Sequence, residues 1–301
     1  MPFPVFLTGA TGYVGSAILD ALVRGGHQVT AIARDPEKVA GIESRGATAL
    51  LADLGTPARY MAAALDADVV IHAALDHSPR GPQLDAELLD RMLPALADTG
   101  SGKTFIYTSG IYVIGPAPEP IDETAPIAPT PLSAWRAPLE QRVAQAMTLS
   151  LRTAVVRPGY LYGGRRGVIS DLLKDALNGL VRVIGPGTNH WPCVYDRDLG
   201  DLYARIAESP EASGVYHACD EGDEQVSEIV EAIAAHVSQR PDIRNVPLEE
   251  ARAKMGAYAD ALVLDQRMRC PRARALGWTP TLRSVSGNVA RLLEEYRNAR
   301  N

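Results

Sequence analysis

Three cysteines in 301 residues, Cys193, Cys219 and Cys270, are an odd number at wide spacings. They exclude a disulfide framework and a zinc site, and they fit free buried thiols in a reducing compartment. Long apolar runs are also missing, and none approaches the ~20 residues of a membrane span. The opening Met1-Pro2-Phe3-Pro4 lacks the charged and apolar regions of a secretory signal. A cytoplasmic protein is therefore the expectation. Positive charge is not in excess either. At a net −6 the chain has no basic surplus with which to neutralise nucleic-acid phosphates. Internal repeats are absent. The expected partner is thus a small-molecule substrate, with no nucleic acid, membrane or metal, and a homodimer is the assembly to test. The length suits one large α/β unit or two unequal ones, with ample chain for a core.

What is present begins with Thr8-Gly9-Ala10-Thr11-Gly12-Tyr13-Val14-Gly15. It follows an apolar run, Pro4-Val5-Phe6-Leu7, and opens onto Ser16–Val23, whose apolar spacing is helical. A strand, three glycines three residues apart, then a helix is the setting of a dinucleotide fingerprint. The glycines let the backbone turn and approach a pyrophosphate closely. The helix N-terminus offers free N–H groups and partial positive charge. A second strand, 27–34, ends in Ala33-Arg34 where an NAD site usually carries a carboxylate for the ribose hydroxyls. A guanidinium there suits a 2′-phosphate, so NADP(H) is expected over NAD(H). Lys38 stands one helical turn further on.

Apolar runs and helical patterns then alternate. Strands are predicted at 3–8, 28–33, 47–51, 68–73, 103–108 and 153–157. Helices are predicted near 14–25, 57–65, 84–98 and 132–149. That alternation predicts a doubly wound parallel sheet of α/β class, here spanning residues 1–158. Residues 159–301 read as a smaller, loop-rich cap interleaved with the sheet's C-terminal part. A strand is expected at 181–183 and at 215–218, with helices at 198–208, 225–238, 248–255 and 285–298. The Pro-rich stretch from Gly115 to Pro131 reads as a long functional loop.

Taken together these residues resemble the extended short-chain dehydrogenase/reductase family, which includes the nucleotide-sugar epimerases and dehydratases. The fingerprint carries the resemblance, with Asp53-Leu54, His72-Ala73-Ala74, Tyr107-Thr108-Ser109-Gly110 and Arg157-Pro158-Gly159-Tyr160-Leu161-Tyr162-Gly163. Val194–Leu199 and Ala275-Leu276-Gly277-Trp278 are similar to its C-terminal markers. The resemblance implies a Rossmann-type fold. It implies cofactor contacts at Thr8, Gly9, Thr11, Gly12, Tyr13, Val14, Gly15, Arg34, Asp53, Leu54, Ala73, Ala74, Thr108, Arg136, Pro158 and Tyr160.

The departures lie in the catalytic set. The family uses a Ser or Thr with a Tyr-x-x-x-Lys. Aligned on Thr130-Pro131-Leu132-Ser133-Ala134-Trp135-Arg136, the Tyr place is Leu132, the Lys place is Arg136, and the Ser/Thr place is Gly110. Leu132 has no proton to give. Arg136 supplies charge and can hold ribose, but its pKa is too high for proton transfer. Tyr112 is the candidate replacement acid, a phenol expected near Arg136 with a lowered pKa. Ser109 is a candidate donor to a substrate carbonyl. Asp76, His77, His190 and Trp191 are candidate substrate contacts, Trp191 by stacking on a planar substrate, weighed against packing in the cap core. Arg165 and Arg166 are weighed as an anion grip against a solvated loop, and His27, His217 and His236 read as structural. Two classes stay open: an NADP-dependent reductase of a small or mid-sized hydrophobic carbonyl compound, and a non-redox lyase, isomerase, cyclase or NADP-sensing protein on the same scaffold.

Overall fold

The computed structural model describes residues 1–299. Its strands begin with β1 (Pro4–Thr8), β2 (Gln28–Ala33), β3 (Thr48–Leu51), β4 (Val69–His72), β5 (Lys103–Thr108), β6 (Ala117–Ile121) and β7 (Leu151–Pro158). They continue with β8 (Tyr160–Tyr162), β9 (Leu180–Ile184), β10 (Cys193–Tyr195), β11 (Gly214–Ala218), β12 (Asp242–Val246) and β13 (Gln266–Met268). The helices of the first half are α1 (Tyr13–Arg24), α2 (Pro36–Glu43), α3 (Met61–Asp66), α4 (Gly81–Asp98) and α5 (Arg136–Gln145). Those of the second half are α6 (Gly167–Leu177), α7 (Asp196–Glu208), α8 (Val226–His236), α9 (Leu248–Met255), α10 (Tyr258–Leu262), α11 (Pro271–Ala275) and α12 (Val289–Asn298).

Seven of the strands form one all-parallel sheet in the order β11-β7-β5-β4-β1-β2-β3. Strands buried on both faces need apolar residues at odd and even positions alike. β1 meets that demand: Val5, Phe6 and Leu7 are all buried. Leu7 faces a core shared with Ile18 and Leu22 of α1 and Leu199 and Leu202 of α7. Phe6 faces the opposite core, with Leu88, Leu89 and Met92 of α4 and Leu139 of α5. The sheet is thus doubly wound, and strand order reverses between β1 and β4. Ligands of such sheets bind in the crevice at that reversal, beyond the strands' C-terminal ends.

The cap region holds more regular structure than its sequence advertises. Three two-stranded parallel pairs, β10 with β8, β12 with β9 and β13 with β6, brace it. The stretch 115–131 is accordingly not one free loop. Its β6 portion is pinned to β13, and the Gly115 carbonyl accepts from Gln266 Nε2 at 2.7 Å. Within 159–196, where little beyond a strand at 181–183 was expected, α6 packs Ile169, Leu172 and Leu173 into the core. The helix expected over 132–149 begins only at Arg136. Pro138 has no N–H to give the Ala134 carbonyl and its ring would clash there, so it is tolerated only in a first turn and the helix starts two residues before it. Leu132 therefore lies in a turn ahead of the helix.

Candidate active site

Two adjoining cavities open at the strand-order reversal. The first, about 370 Å³, is lined by Gly9, Thr11, Gly12, Tyr13 and Val14 of the fingerprint. Ala33 ends β2 and Arg34 and Lys38 follow it, Asp53 and Leu54 follow β3, and the segment 73–77 follows β4. Gly9 has φ +79°, and a Cβ on it would come within 2.5 Å of the Ala73 backbone. A Cβ on Gly15 would lie 2.0 Å from the Gly9 carbonyl, so this third glycine lets α1 pack against the loop. Gly12 is different. A Cβ there would have a single neighbour within 4 Å, the Gly9 carbonyl oxygen at 3.2 Å. The space beyond it is open, and the first turn of α1 holds no acidic residue to repel an anion. This cradle fits the pyrophosphate of a dinucleotide.

Arg34 reaches across the mouth, donating from Nη1 to Asp76 Oδ2 at 2.8 Å. Asp76 also accepts from the Ser78 N–H, and these donors, Ser78 ahead of Arg34, hold its carboxyl below the usual value. The Tyr13 hydroxyl donates to the Gly163 carbonyl at 2.6 Å and ties the fingerprint to the loop after β8. Arg166 donates from Nη1 to the Thr11 carbonyl at 3.0 Å, while Arg165 stacks over Tyr296. Neither arginine lines the cavities.

The second cavity, about 710 Å³, shares Val14 and residues 73–77 with the first. Its walls are mostly apolar: Leu75, Pro82, Leu132, Trp135, Leu161 and Tyr258 contribute, with Pro158. Its polar groups converge from the end of β5 and the start of α5. Thr108, Ser109, Tyr112 and Arg136 all line it, as do Asp76 and His77. The Ser109 hydroxyl is buried and has no hydrogen-bond partner. Arg136 donates from Nη1 to the Thr108 carbonyl at 2.9 Å and stacks its guanidinium 4.3 Å from the Trp135 ring centre. Thr108 Oγ1 meets the Tyr203 hydroxyl at 2.7 Å.

Several expected contacts lie elsewhere. Trp191 is buried in the cap, stacked on Tyr160 with ring centres 4.8 Å apart and its indole N–H given to the Leu262 carbonyl. His190 is held by Asp265, with Arg267 beside its Nε2, and does not reach the cavity. Tyr160 gives its hydroxyl to the Ala261 carbonyl at 2.5 Å. Thr8 and Gly15 lie beneath the fingerprint loop rather than in its cavity. The expected lowering of the Tyr112 pKa is also corrected. Burial pushes this phenol well up, with Tyr258 adding to the effect. The phenol therefore stays protonated near neutral pH.

Sequence reasoning did not reach Asp85, Tyr107 and Tyr258. Tyr258 comes to the cavity from α10, 146 residues after Tyr112, and nothing in its local pattern marks it. Asp85 lies 13 residues past His72, yet its carboxylate accepts from both His72 Nε2 (2.5 Å) and the Tyr107 hydroxyl (2.6 Å). A carboxylate at a buried position of α4 was the available signal.

Comparison with known proteins agrees with this architecture. The model of the NAD dependent epimerase/dehydratase family matches residues 5–219. An uncharacterised protein of Saccharomyces cerevisiae is 28% identical over 291 residues, covering 92% of this chain and 94% of that one. A 2-alkyl-3-oxoalkanoate reductase of Stenotrophomonas maltophilia is 29% identical over 206 residues, covering 64% and 61%. Among solved structures, the human epimerase family protein SDR39U1 with NADPH superposes with a TM-score of 0.74 at 19% identity, covering 97% of this chain and 99% of that one.

Proposed function

The chain belongs to the NAD-dependent epimerase/dehydratase family, and on that premise we propose that it is an NADP-dependent reductase of small or mid-sized, largely apolar carbonyl compounds. One observation carries this reading. The buried, unpartnered hydroxyl of Ser109 sits on the wall of an apolar cavity that opens directly from the dinucleotide cleft. A buried hydroxyl without a partner carries a desolvation cost of about 1–3 kcal/mol, which a ligand acceptor oxygen relieves. The names of two relatives point the same way, one a 2-alkyl-3-oxoalkanoate reductase and one a dihydroquinoline-1-oxide ketoreductase.

The fingerprint N–H groups would hold the pyrophosphate, with Arg34 and Lys38 at the 2′-phosphate and Asp53-Leu54 at the adenosine. The nicotinamide supplies the hydride. This chain's residues do the rest. Arg136 presents fixed positive charge and the N–H groups not spent on Thr108 to the ribose hydroxyls. Ser109 Oγ donates to the carbonyl oxygen and polarises it. Tyr112 Oη holds a proton that its raised pKa keeps in place until negative charge develops on that oxygen. Leu132, Trp135, Leu161 and Tyr258 exclude water from the reacting carbon. Arg136 is the only Lys or Arg lining the cavity among the described residues, too little charge for a nucleotide diphosphate.

Leu132 in the usual tyrosine place favours a second reading, a non-redox reaction in the same cavity. The two separate on one assay. NADPH absorbance is followed against a panel of alkyl and aryl ketones. The reductase reading expects consumption with at least one apolar ketone. Tight NADPH binding with no consumption across the panel supports the alternative.

A further inference from the structure

Beneath the cleft a chain of buried polar groups runs from the fingerprint to Arg136. The backbone N–H groups of Ala73 and Ala74 both donate to Thr8 Oγ1, at 3.3 Å each. With its oxygen so engaged, the Thr8 hydroxyl gives its own proton to His72 Nδ1 at 2.6 Å. An imidazole accepting at Nδ1 carries its proton on Nε2. His72 therefore donates to Asp85 Oδ1 at 2.5 Å. The second carboxylate oxygen accepts from the Tyr107 hydroxyl at 2.6 Å. Tyr107 in turn accepts from Arg136 Nη1 at 3.4 Å. From both ends the donated protons point toward Asp85.

Thr8, His72, Asp85 and Tyr107 are each no more than 3% exposed, so none of them meets ligand or solvent. Thr8 ends β1, His72 ends β4 and Tyr107 stands one residue before the end of β5, three adjacent strands of the sheet. Asp85 comes from α4, on the face below. One carboxylate thus staples three strand ends at the level where the loops of both cavities begin. Burial alone would raise its pKa, but His72, Tyr107 and Arg136 outweigh that and hold it below the usual value. Outward from this centre, the His72–Thr8 arm sets the Ala73–Ala74 wall of the dinucleotide cleft. The Tyr107 arm sets the guanidinium of Arg136.

We propose that Asp85 is a positioning residue that fixes both walls of the cleft through these two hydrogen-bonded arms, so that nucleotide affinity depends on a group touching no ligand. The proposal rests on the dinucleotide reading of the first cavity. It is tested by calorimetric titration of NADPH and NADH into wild type, Asp85→Asn, Thr8→Val, Tyr107→Phe and their pairs, with thermal melting measured alongside. Asp85→Asn keeps the shape but turns an N–H toward one of two donors. We expect it to weaken nucleotide binding by roughly ten- to a hundredfold, the scale of a small misplacement of a binding group. Thr8→Val, equal in shape, breaks one arm and weakens binding less. Combined with Asp85→Asn, whichever of Thr8→Val and Tyr107→Phe lies on the arm that faces the new N–H adds nothing further, because that arm is already broken, whereas Thr8→Val and Tyr107→Phe add to each other. A merely structural role would lower the melting temperature and leave the affinity of the folded protein unchanged, and that result overturns the proposal. Full additivity of both Thr8→Val and Tyr107→Phe with Asp85→Asn also overturns it. If Asp85→Asn does not fold, wild-type affinity in Thr8→Val is decisive against it. A wild type that binds neither nucleotide removes both this inference and the function it rests on, whereas a binding wild type with unaffected variants removes the inference alone.

Discussion

We propose that cofactor choice turns on Arg34, and Arg34→Ala tests it. The guanidinium stands at the rim of the first cavity with 63% of its side chain exposed, paired to Asp76 at 2.8 Å. A hydrogen bond to a charged group contributes about 1.5–3 kcal/mol when well enclosed. An exposed ion pair contributes only about 0–1 kcal/mol. A doubly charged phosphate on a planar, half-solvated fork falls between, and binding must first draw Arg34 from Asp76. We therefore expect a loss of about 1.5 kcal/mol, roughly tenfold in the NADPH dissociation constant. NADH has no 2′-phosphate and should bind Arg34→Ala as it binds wild type. The penalty should shrink as salt rises, because the site is open to screening. Asp76→Asn should act in the opposite direction. It removes a carboxylate that both occupies Arg34 and repels the phosphate, so NADPH should bind more tightly. Calorimetric titration of both nucleotides at two salt concentrations reads all of these. Equal losses of NADPH and NADH, or equal affinity of wild type for the two, would refute the assignment.

Other outcomes follow from the same geometry. Gly12→Val should fold, since its one close neighbour lies 3.2 Å away, yet lose nucleotide binding; Gly15→Val should fail to fold, since its Cβ would meet the Gly9 carbonyl at 2.0 Å. Circular dichroism with nucleotide titration distinguishes them. Ser109→Ala and Tyr112→Phe should each lower ketone turnover about tenfold to a hundredfold, the range of a lost charge-assisted hydrogen bond, with NADPH affinity retained; wild-type turnover in both would assign them to packing. Asp220 is pushed up to about 7 by burial, with Glu224 and Asp198 adding, against the Gly222 N–H that donates to it. Its folded state binds the proton more tightly than the unfolded one, so it stabilises below the usual value of 3.8 and loses that contribution as pH rises to about 7. Asp220→Asn should therefore raise the melting temperature above pH 7 and change little below pH 4; the same shift at both would contradict the sign.

The first half of the chain was legible because its signals are local. A buried strand, a glycine-spaced turn and an amphipathic helix lie within the same 20 residues, and β2, β4 and β5 are apolar runs of the length that periodicity detects. Short elements escaped. β8 and β10 have three residues each, too few for a period, and they exist because they pair with one another across 30 residues. β6 hides among prolines and is a strand only because β13 lies beside it. α6 sits in a stretch whose glycines and aromatics mask its apolar face. At the site, many of the residues carried by motifs line the cavities, since motifs mark the ends of strands, but Thr8, Gly15 and Tyr160 of the same motifs are buried away from them. Of the two readings open for Trp191 the structure takes packing, because an aromatic that can stack on a ligand stacks equally well on Tyr160. The Tyr112 pKa moves up and not down because packing against Tyr160 and beside Tyr258 buries the phenol, and the local sequence does not reveal that burial. Asp85 was missed because its partners belong to strands β4 and β5, brought under α4 only by packing.

The central claim is that a hydride passes from a nicotinamide held on the glycine cradle to a carbonyl beside Ser109. Incubating the protein with NADPH deuterated at the transferred position and a set of apolar ketones, then analysing the products by mass spectrometry, tests it directly. The account predicts an alcohol carrying one deuterium on the former carbonyl carbon, formed by wild type and lost in Gly12→Val. Tight NADPH binding with no deuterated product from any ketone would contradict it.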